Sequence, residues 1–197
     1  DDVGRAYGFN NLVPRYPDVS TIGGRTESSR LEASARQTLV GIGFEDLLNF
    51  NMTSEADNFD RMRVSPDDDA VGAAAPATID EPYSEDFTIL RTWALPSLVA
   101  VLENNTHRTY PQDLAEIGFA AHVDESTNTG VAERRTVAAV VARHDASFED
   151  AKARLAALFD EFDVALETPP TTHPSFIGGR TASVVADGEE VGVLGEL

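Results

Sequence analysis

"SEDFTILRTWALPSLVAVLENN", residues 84–105, changes character twice within its length. Its alternating apolar start predicts a strand over 86–91 that ends on Arg91. Thr92 then caps a helix, and Pro96 sits in the first turn, where a missing N–H costs nothing. Leu95, Leu98, Val99 and Leu102 form one stripe of that helix over 95–105, which the Asn104 and Asn105 pair stops. A polar joint of Arg91 and Thr92 between strand and helix has two readings: a structural hinge, or the lining of a site.

The flanking sequence extends the pattern. Downstream, a strand is expected at 112–121, and the continuous apolar run of "RRTVAAVVARH" (134–144) predicts a buried strand with its arginines at an edge or interface. "SFEDAKARLAALFDEFDV" (147–164) is the clearest helix, capped by Ser147, with Phe148, Ala151, Leu155, Leu158, Phe159 and Phe162 inward. Strands follow near 164–168, 181–186 and 190–194, the last two joined by the hairpin signal Asp187-Gly188.

Upstream, "TESSRLEASARQTLVGIGF" (26–44) predicts a helix with Leu31, Ala35, Leu39 and Ile42 on one face. Ser29 and Glu32 are its expected capping box, and Gly43 its C-cap. "FEDLLNFNM" (44–52) reads as a strand with Leu48, Phe50 and Met52 toward one side, and Thr53 opens a short helix. Residues 1–25 read as a helix end and a Gly, Pro and Asn-rich connector. The sum is an α+β fold, a mainly antiparallel sheet flanked by helices.

Composition narrows the chemistry. The chain holds 197 residues, 42% of them hydrophobic, with ten Phe, enough for one core and an extension. No run suits a membrane span and no signal-peptide pattern opens the chain, so a cytoplasmic location is expected. With no cysteine, thiolate nucleophiles, disulfides and Cys-zinc sites are excluded. Thirty-four acids face fifteen bases for a net charge of -19, and the acids are spread from Asp1 to Glu196. Spread acidity of that size reads as adaptation to high salt, and it argues against DNA or other nucleic-acid binding by this stretch, which needs clustered Lys and Arg.

Motifs for independent catalysis are missing. His107, His122, His144 and His173 lack paired ligand spacing. No Gly-rich phosphate cradle and no G-x-S-x-G occurs. "IGGR" occurs twice, ending on Arg25 and Arg180, and each copy reads as a glycine turn beside an arginine that pairs with an acid. A scaffold or interaction role therefore outweighs chemistry of its own.

Four stretches, in order, carry a resemblance. "FTILRTWALPSLVAVLENN" with "YPQDLAEIG", "VGRAYGFNNLVP", "GFEDLLNFNMTS" and "PSFIGGRTASVVADGEEVGVLGEL" together resemble the β subunit of phenylalanyl-tRNA synthetase, in an archaeal, haloarchaeal-like form. The match departs at Ala115, where Phe is usual, and at Ile177 and Gly178, where Phe-Pro is common. The resemblance implies the end of a B5-like domain and connector over 1–25, then over 26–197 a class II synthetase-like core, truncated near the subunit's C-terminus. In that family the core has lost catalysis. It packs against the α subunit in an (αβ)2 enzyme that attaches phenylalanine to tRNA(Phe), with ATP used by α. The strand at 112–121 carries no arginine for an ATP phosphate, and no Gly-rich third motif is present, which agrees with that loss.

The resemblance also implies residue roles. Asp1 and Asp2 fall on two positions associated with magnesium in the full-length enzyme, a partial site not expected to hold the ion alone. Arg91, Thr92, Asn105 and Arg180 are the structural hinge or interface positions, and no catalytic or cofactor-binding residue is assigned. Two alternatives stand beside this reading: a stand-alone class II paralogue with a regulatory or scaffold role, and an enzyme with an unrecognised acidic site such as Asp163 with Glu167.

Overall fold

A computed structural model describes residues 1–18 and 22–197, so that residues 19–21 of the expected connector lie outside the described residues. A short helix α1 (Asp2–Tyr7) and a 3-10 turn (Phe9–Asn11) open the chain. Helix α2 (Glu27–Gly41) begins earlier than the expected capping box: Thr26 is the N-cap, and its hydroxyl accepts from the Ser29 N–H at 3.2 Å. Glu32 is thereby a mid-helix residue, and it pairs instead with Arg135 at 2.8 Å. The C-terminus is a Schellman motif. Gly43 at φ +99° donates to the Val40 carbonyl, and the Phe44 N–H reaches the Leu39 carbonyl.

That turn feeds strand β1 (Glu45–Leu47), which pairs in parallel with the long strand β4 (Gln112–Val123). β4 in turn pairs antiparallel along its whole length with β5 (Val131–Ala142). Ala35, Leu39, Phe44, Ala115, Ile117 and Leu158 pack between α2, this sheet and helix α4 (Phe148–Glu161). Ala115 is 1% exposed in that cluster. Leu31, expected inward, is 52% exposed, because α2 covers the sheet with a stripe centred on Ala35 and Leu39.

The expected strand over 44–52 is two strands in different sheets. β2 (Met52–Thr53) pairs antiparallel with β3 (Ile89–Leu90), the short remnant of the run expected over 86–91. Between them a π-helical turn (Ala56–Asp60) and a loop fold over a second core of Phe59, Met62, Val64, Ile89 and Trp93. Helix α3 (Leu95–Asn104) follows, with Pro96 in its first turn and Leu98 fully buried. Burial of such a side chain contributes about 1.5–3 kcal/mol. Thr92 does not cap it: the N-cap is Ala94, without a side-chain bond, and Thr92 is used elsewhere.

The C-terminal sheet is β6 (Leu166–Glu167), β7 (Thr181–Ala186) and β8 (Glu189–Gly195), all antiparallel. Asp187 and Gly188 take φ of +49° and +87°, the paired positive values of a tight two-residue hairpin turn. The fold is thus α+β and mainly antiparallel, β1 with β4 being the parallel pair among the described strands. One expectation fails in an instructive way. β5 is an edge strand, and Val137 in its apolar run is 47% exposed rather than buried. The whole chain exposes 13113 Å², well above the roughly 9,000 Å² that size scaling gives for a compact 21.2 kDa protein.

Candidate functional site

The polar joint read from the sequence closes around an ion pair. Arg91 is 1% exposed and Glu116 is 0% exposed, and the guanidinium meets the carboxylate in a fork: Nη2 to Oε1 at 2.6 Å and Nη1 to Oε2 at 3.1 Å. Removing two charges from water costs several kcal/mol per ion, so such a pair persists only when the remaining donors and acceptors are also satisfied. Here they are. Arg91 Nε donates to the Phe119 carbonyl at 2.8 Å, Nη1 also to Ser97 Oγ at 3.2 Å, and Nη2 also to Asn51 Oδ1 at 3.4 Å. Glu116 accepts in addition from the Asn49 N–H at 3.3 Å and from Asn49 Nδ2 at 2.8 Å.

Local structure explains how the chain assembles this pair. Arg91 follows β3, and its backbone is held on both sides, its N–H by the Asn51 carbonyl and its carbonyl by the Ala121 N–H. Glu116 lies mid-way along β4, within an apolar strand. Gly118, two residues on, leaves the space the pair fills: a Cβ there would stand 2.2 Å from Arg91 Nη2 and 2.6 Å from Glu116 Oε1.

A second buried network continues from Thr92. Its hydroxyl donates to the Gly72 carbonyl at 2.6 Å and accepts from Asn58 Nδ2 at 2.8 Å, while its N–H donates to Asn58 Oδ1. The Trp93 indole donates to the Asn58 carbonyl, and its ring lies where a Cβ on Gly72, at φ +91°, would fall. Arg91, Thr92 and Trp93 thereby tie β3, the π-helical turn, the 65–75 loop and β4 into one unit.

The segment that supplies Asn49 and Asn51 is inside out. Its amides turn toward the buried pair, whereas the alternate side chains Leu48 and Phe50 are 84% and 70% exposed, and Met52 is 40% exposed. Phe87 adds to this apolar face, edge-on to Phe50 at 5.7 Å between ring centroids. The sequence reading set these three side chains toward one side, and that side is the exposed one. The pleat gives the inner side to the amides, which meet the buried ion pair.

Chemically, the arrangement holds shape and leaves no reactive group free. A cavity of about 220 Å³ beside the pair is lined by Asn51, Leu90, Arg91, Phe119, Ala120, Ala121 and Glu133. The five N–H donors of Arg91 already meet acceptors, so it offers none to a phosphate entering there. Elsewhere, Asp113 accepts from Arg154 at 2.9 Å beside Arg143. At the start of α4, Ser147 and Asp150 make a reciprocal capping box, and the hydrogen bond from Ser147 holds the Asp150 carboxyl below its ordinary range. Arg180 does the same for Glu196 through a hydrogen-bonded ion pair at 2.5 Å.

The other positions singled out in the sequence lie apart from this centre. Asp1 and Asp2 are exposed at the start of α1, with Asp1 as its N-cap. Two carboxylates fall short of the roughly six oxygens an octahedral magnesium site requires, and among the described residues no group of three or more His, Cys, Asp and Glu gathers around a common point. The residues present therefore do not by themselves fit that ion. Asn105 is the C-cap of α3: it donates to the Val101 carbonyl and accepts from Arg108 Nε. Asp163 and Glu167 are both exposed, which removes the burial that an acid-base pair of their own would require. Glu116, Asn49, Asn51 and Gly118 were not identified from the sequence. The available signal was an acid and a glycine inside an otherwise apolar strand, "LAEIGFA".

Comparison with known proteins bears on this geometry. Residues 12–197 match the family model described as the phenylalanyl tRNA synthetase beta chain CLM domain. The chain is 79% identical over 197 residues to the phenylalanine--tRNA ligase beta subunit of Halobacterium salinarum, covering 100% of this chain and 35% of that protein. It is 71% identical over 204 residues to that of Haloarcula marismortui, with 100% and 35% covered, and 35% identical over 197 residues to that of Pyrococcus furiosus, with 100% and 34% covered. The chain thus spans about a third of the length of these relatives.

Proposed function

The chain belongs to the phenylalanyl-tRNA synthetase β chain family, and from that premise we propose that it is a non-catalytic, class II synthetase-like module that docks the β subunit onto the α subunit. In this reading residues 1–25 are the end of a B5-like domain and its connector, and 26–197 form the module. The assembled (αβ)2 enzyme is cytoplasmic and attaches phenylalanine to tRNA(Phe). ATP is used by α, and any magnesium at Asp1 and Asp2 depends on ligands from outside this chain.

The observation that carries the reading is the inside-out segment Leu48–Met52. Its polar side completes a buried ion pair that has no donor to offer a substrate, and its apolar side faces solvent in a protein whose surface is otherwise strongly acidic. Exposed apolar faces of this kind mark protein–protein contact. A partner that covers Leu48, Phe50, Met52 and Phe87 fits both the family and the excess surface.

The test is assembly. Leu48→Glu with Phe50→Glu in the full-length β subunit, expressed with α, should leave the β fold intact and abolish the heterotetramer in sedimentation. A heterotetramer of wild-type stability carrying both substitutions would overturn the reading.

A further inference from the structure

The cavity beside Arg91 opens on the apolar side of the strands, away from the buried pair. Arg91 reaches toward Glu116, so Leu90, one residue earlier, turns to the opposite side. Met52 stands directly across from Leu90 and shares that side. On β4, Gly118 lies against the pair, so Phe119 and Ala121 alternate with it and point away. Glu133 of β5 stands across from Ala121 and faces the same way. Leu90, Phe119, Ala121 and Glu133 all line the cavity, which therefore shares its face with Met52, Phe50 and Leu48.

The lining selects its guest. At about 220 Å³ the cavity falls below the roughly 300–1,000 Å³ of small-molecule sites and suits one long side chain. Its walls are largely apolar, and the exposed charge on them is the Glu133 carboxylate. The charge of Arg91 is already met by Glu116. Arg135, two residues along β5, lies 3.6 Å over the Phe119 ring and is committed to Glu32 at 2.8 Å. Among the described residues no hydrogen bond or ion pair meets the Glu133 carboxylate. An anion entering here would be repelled, and a purely apolar guest would strip water from that carboxylate without replacing it. An aliphatic stem with a cationic head satisfies both walls and mouth.

We propose that the α subunit inserts one arginine or lysine side chain into this cavity, its stem against Leu90, Phe119 and Ala121 and its charge on Glu133. The inference rests on the docking reading above and deepens it. Leu48, Phe50 and Met52 supply apolar area with little orientation, whereas one charged side chain in a fitted cavity sets the register of the two subunits. A body of charge -19 also draws a basic partner toward it. Once enclosed, the pair is screened by salt much less than surface pairs are, which suits a contact that must hold at high ionic strength.

A photo-crosslinking amino acid is placed at Glu133, and separately at Phe50, in the full-length β subunit of the assembled enzyme. Capture of α from Phe50 reports the docking reading by itself. Capture from Glu133 should give an α peptide that contains an arginine or lysine at the crosslink. Glu133→Arg should then weaken association of α with β at least about tenfold in sedimentation, with the β fold intact by denaturant unfolding. Changing the captured basic residue of α to glutamate should restore association with that variant. Capture of α from Phe50 but not from Glu133, a captured peptide without a basic residue, undiminished association of Glu133→Arg, or failure of the exchanged charges to restore it would each overturn this inference and leave docking standing. Absence of α capture from Phe50 would overturn both.

Discussion

Gly118 and Arg91 are so closely packed that a Cβ on the glycine would lie 2.2 Å from the arginine Nη2. The same Cβ would lie 2.6 Å from Glu116 Oε1, so neither partner of the ion pair is free to yield alone. Gly118→Ala should therefore destabilise the protein by about 1–3 kcal/mol, the usual range for overpacking. Denaturant unfolding measures it, and an unchanged midpoint would mean that the pair is looser than described.

Breaking the pair from one side should cost more. Arg91→Met leaves the Glu116 carboxylate buried with only the Asn49 donors, and the expected loss is about 3–5 kcal/mol. Arg91→Met with Glu116→Leu removes both charges and should recover most of that loss, a non-additivity that a double-mutant cycle reads directly.

Salt should stabilise the module. A net charge of -19 repels itself over a Debye length of about 10 Å at 0.1 M salt, which shrinks to about 3 Å at 1 M. The melting temperature in KCl should rise across that range. A flat or falling curve would contradict the reading of the charge as salt adaptation.

The capping box of α4 gives a pH test. Asp150 has its folded-state pKa lowered, chiefly by the hydrogen bond from Ser147, so its contribution is present above the ordinary carboxylate range and is lost as pH falls through the folded value. Ser147→Ala should raise the Asp150 titration midpoint seen by NMR. It should also cost about 1 kcal/mol at neutral pH, typical of a lost N-cap.

How much of this was legible in the sequence depends on what each residue serves. α2 and α4 were readable because their inner faces repeat at helical spacing and their ends carry cap chemistry; Ser147 was found, while at α2 the cap is Thr26 rather than the expected Ser29. The Asp187-Gly188 hairpin was readable because few residue pairs accept two positive φ values. The alternation over 44–52 was readable as two sides, but it did not say which is inner, where Asn49 and Asn51 meet the buried Arg91 and Glu116, nor that the run divides between two sheets. β5 was misread because a continuous apolar run predicts a strand buried on both faces, whereas β5 lies at a sheet edge with Val137 47% exposed. Glu116 looked like any other acid among thirty-four.

The central claim is that the module supplies architecture rather than chemistry, and its hinge is where that claim is most exposed. The measurement is the rate of phenylalanyl-adenylate formation by the complete heterotetramer carrying Arg91→Met with Glu116→Leu in β, assembly being confirmed by sedimentation. The account predicts a rate within a few-fold of wild type, whereas loss of a single oxyanion-type donor in an active site costs about a hundredfold or more. A fully assembled enzyme that has lost adenylate formation about a thousandfold, the upper end of that range, would contradict it.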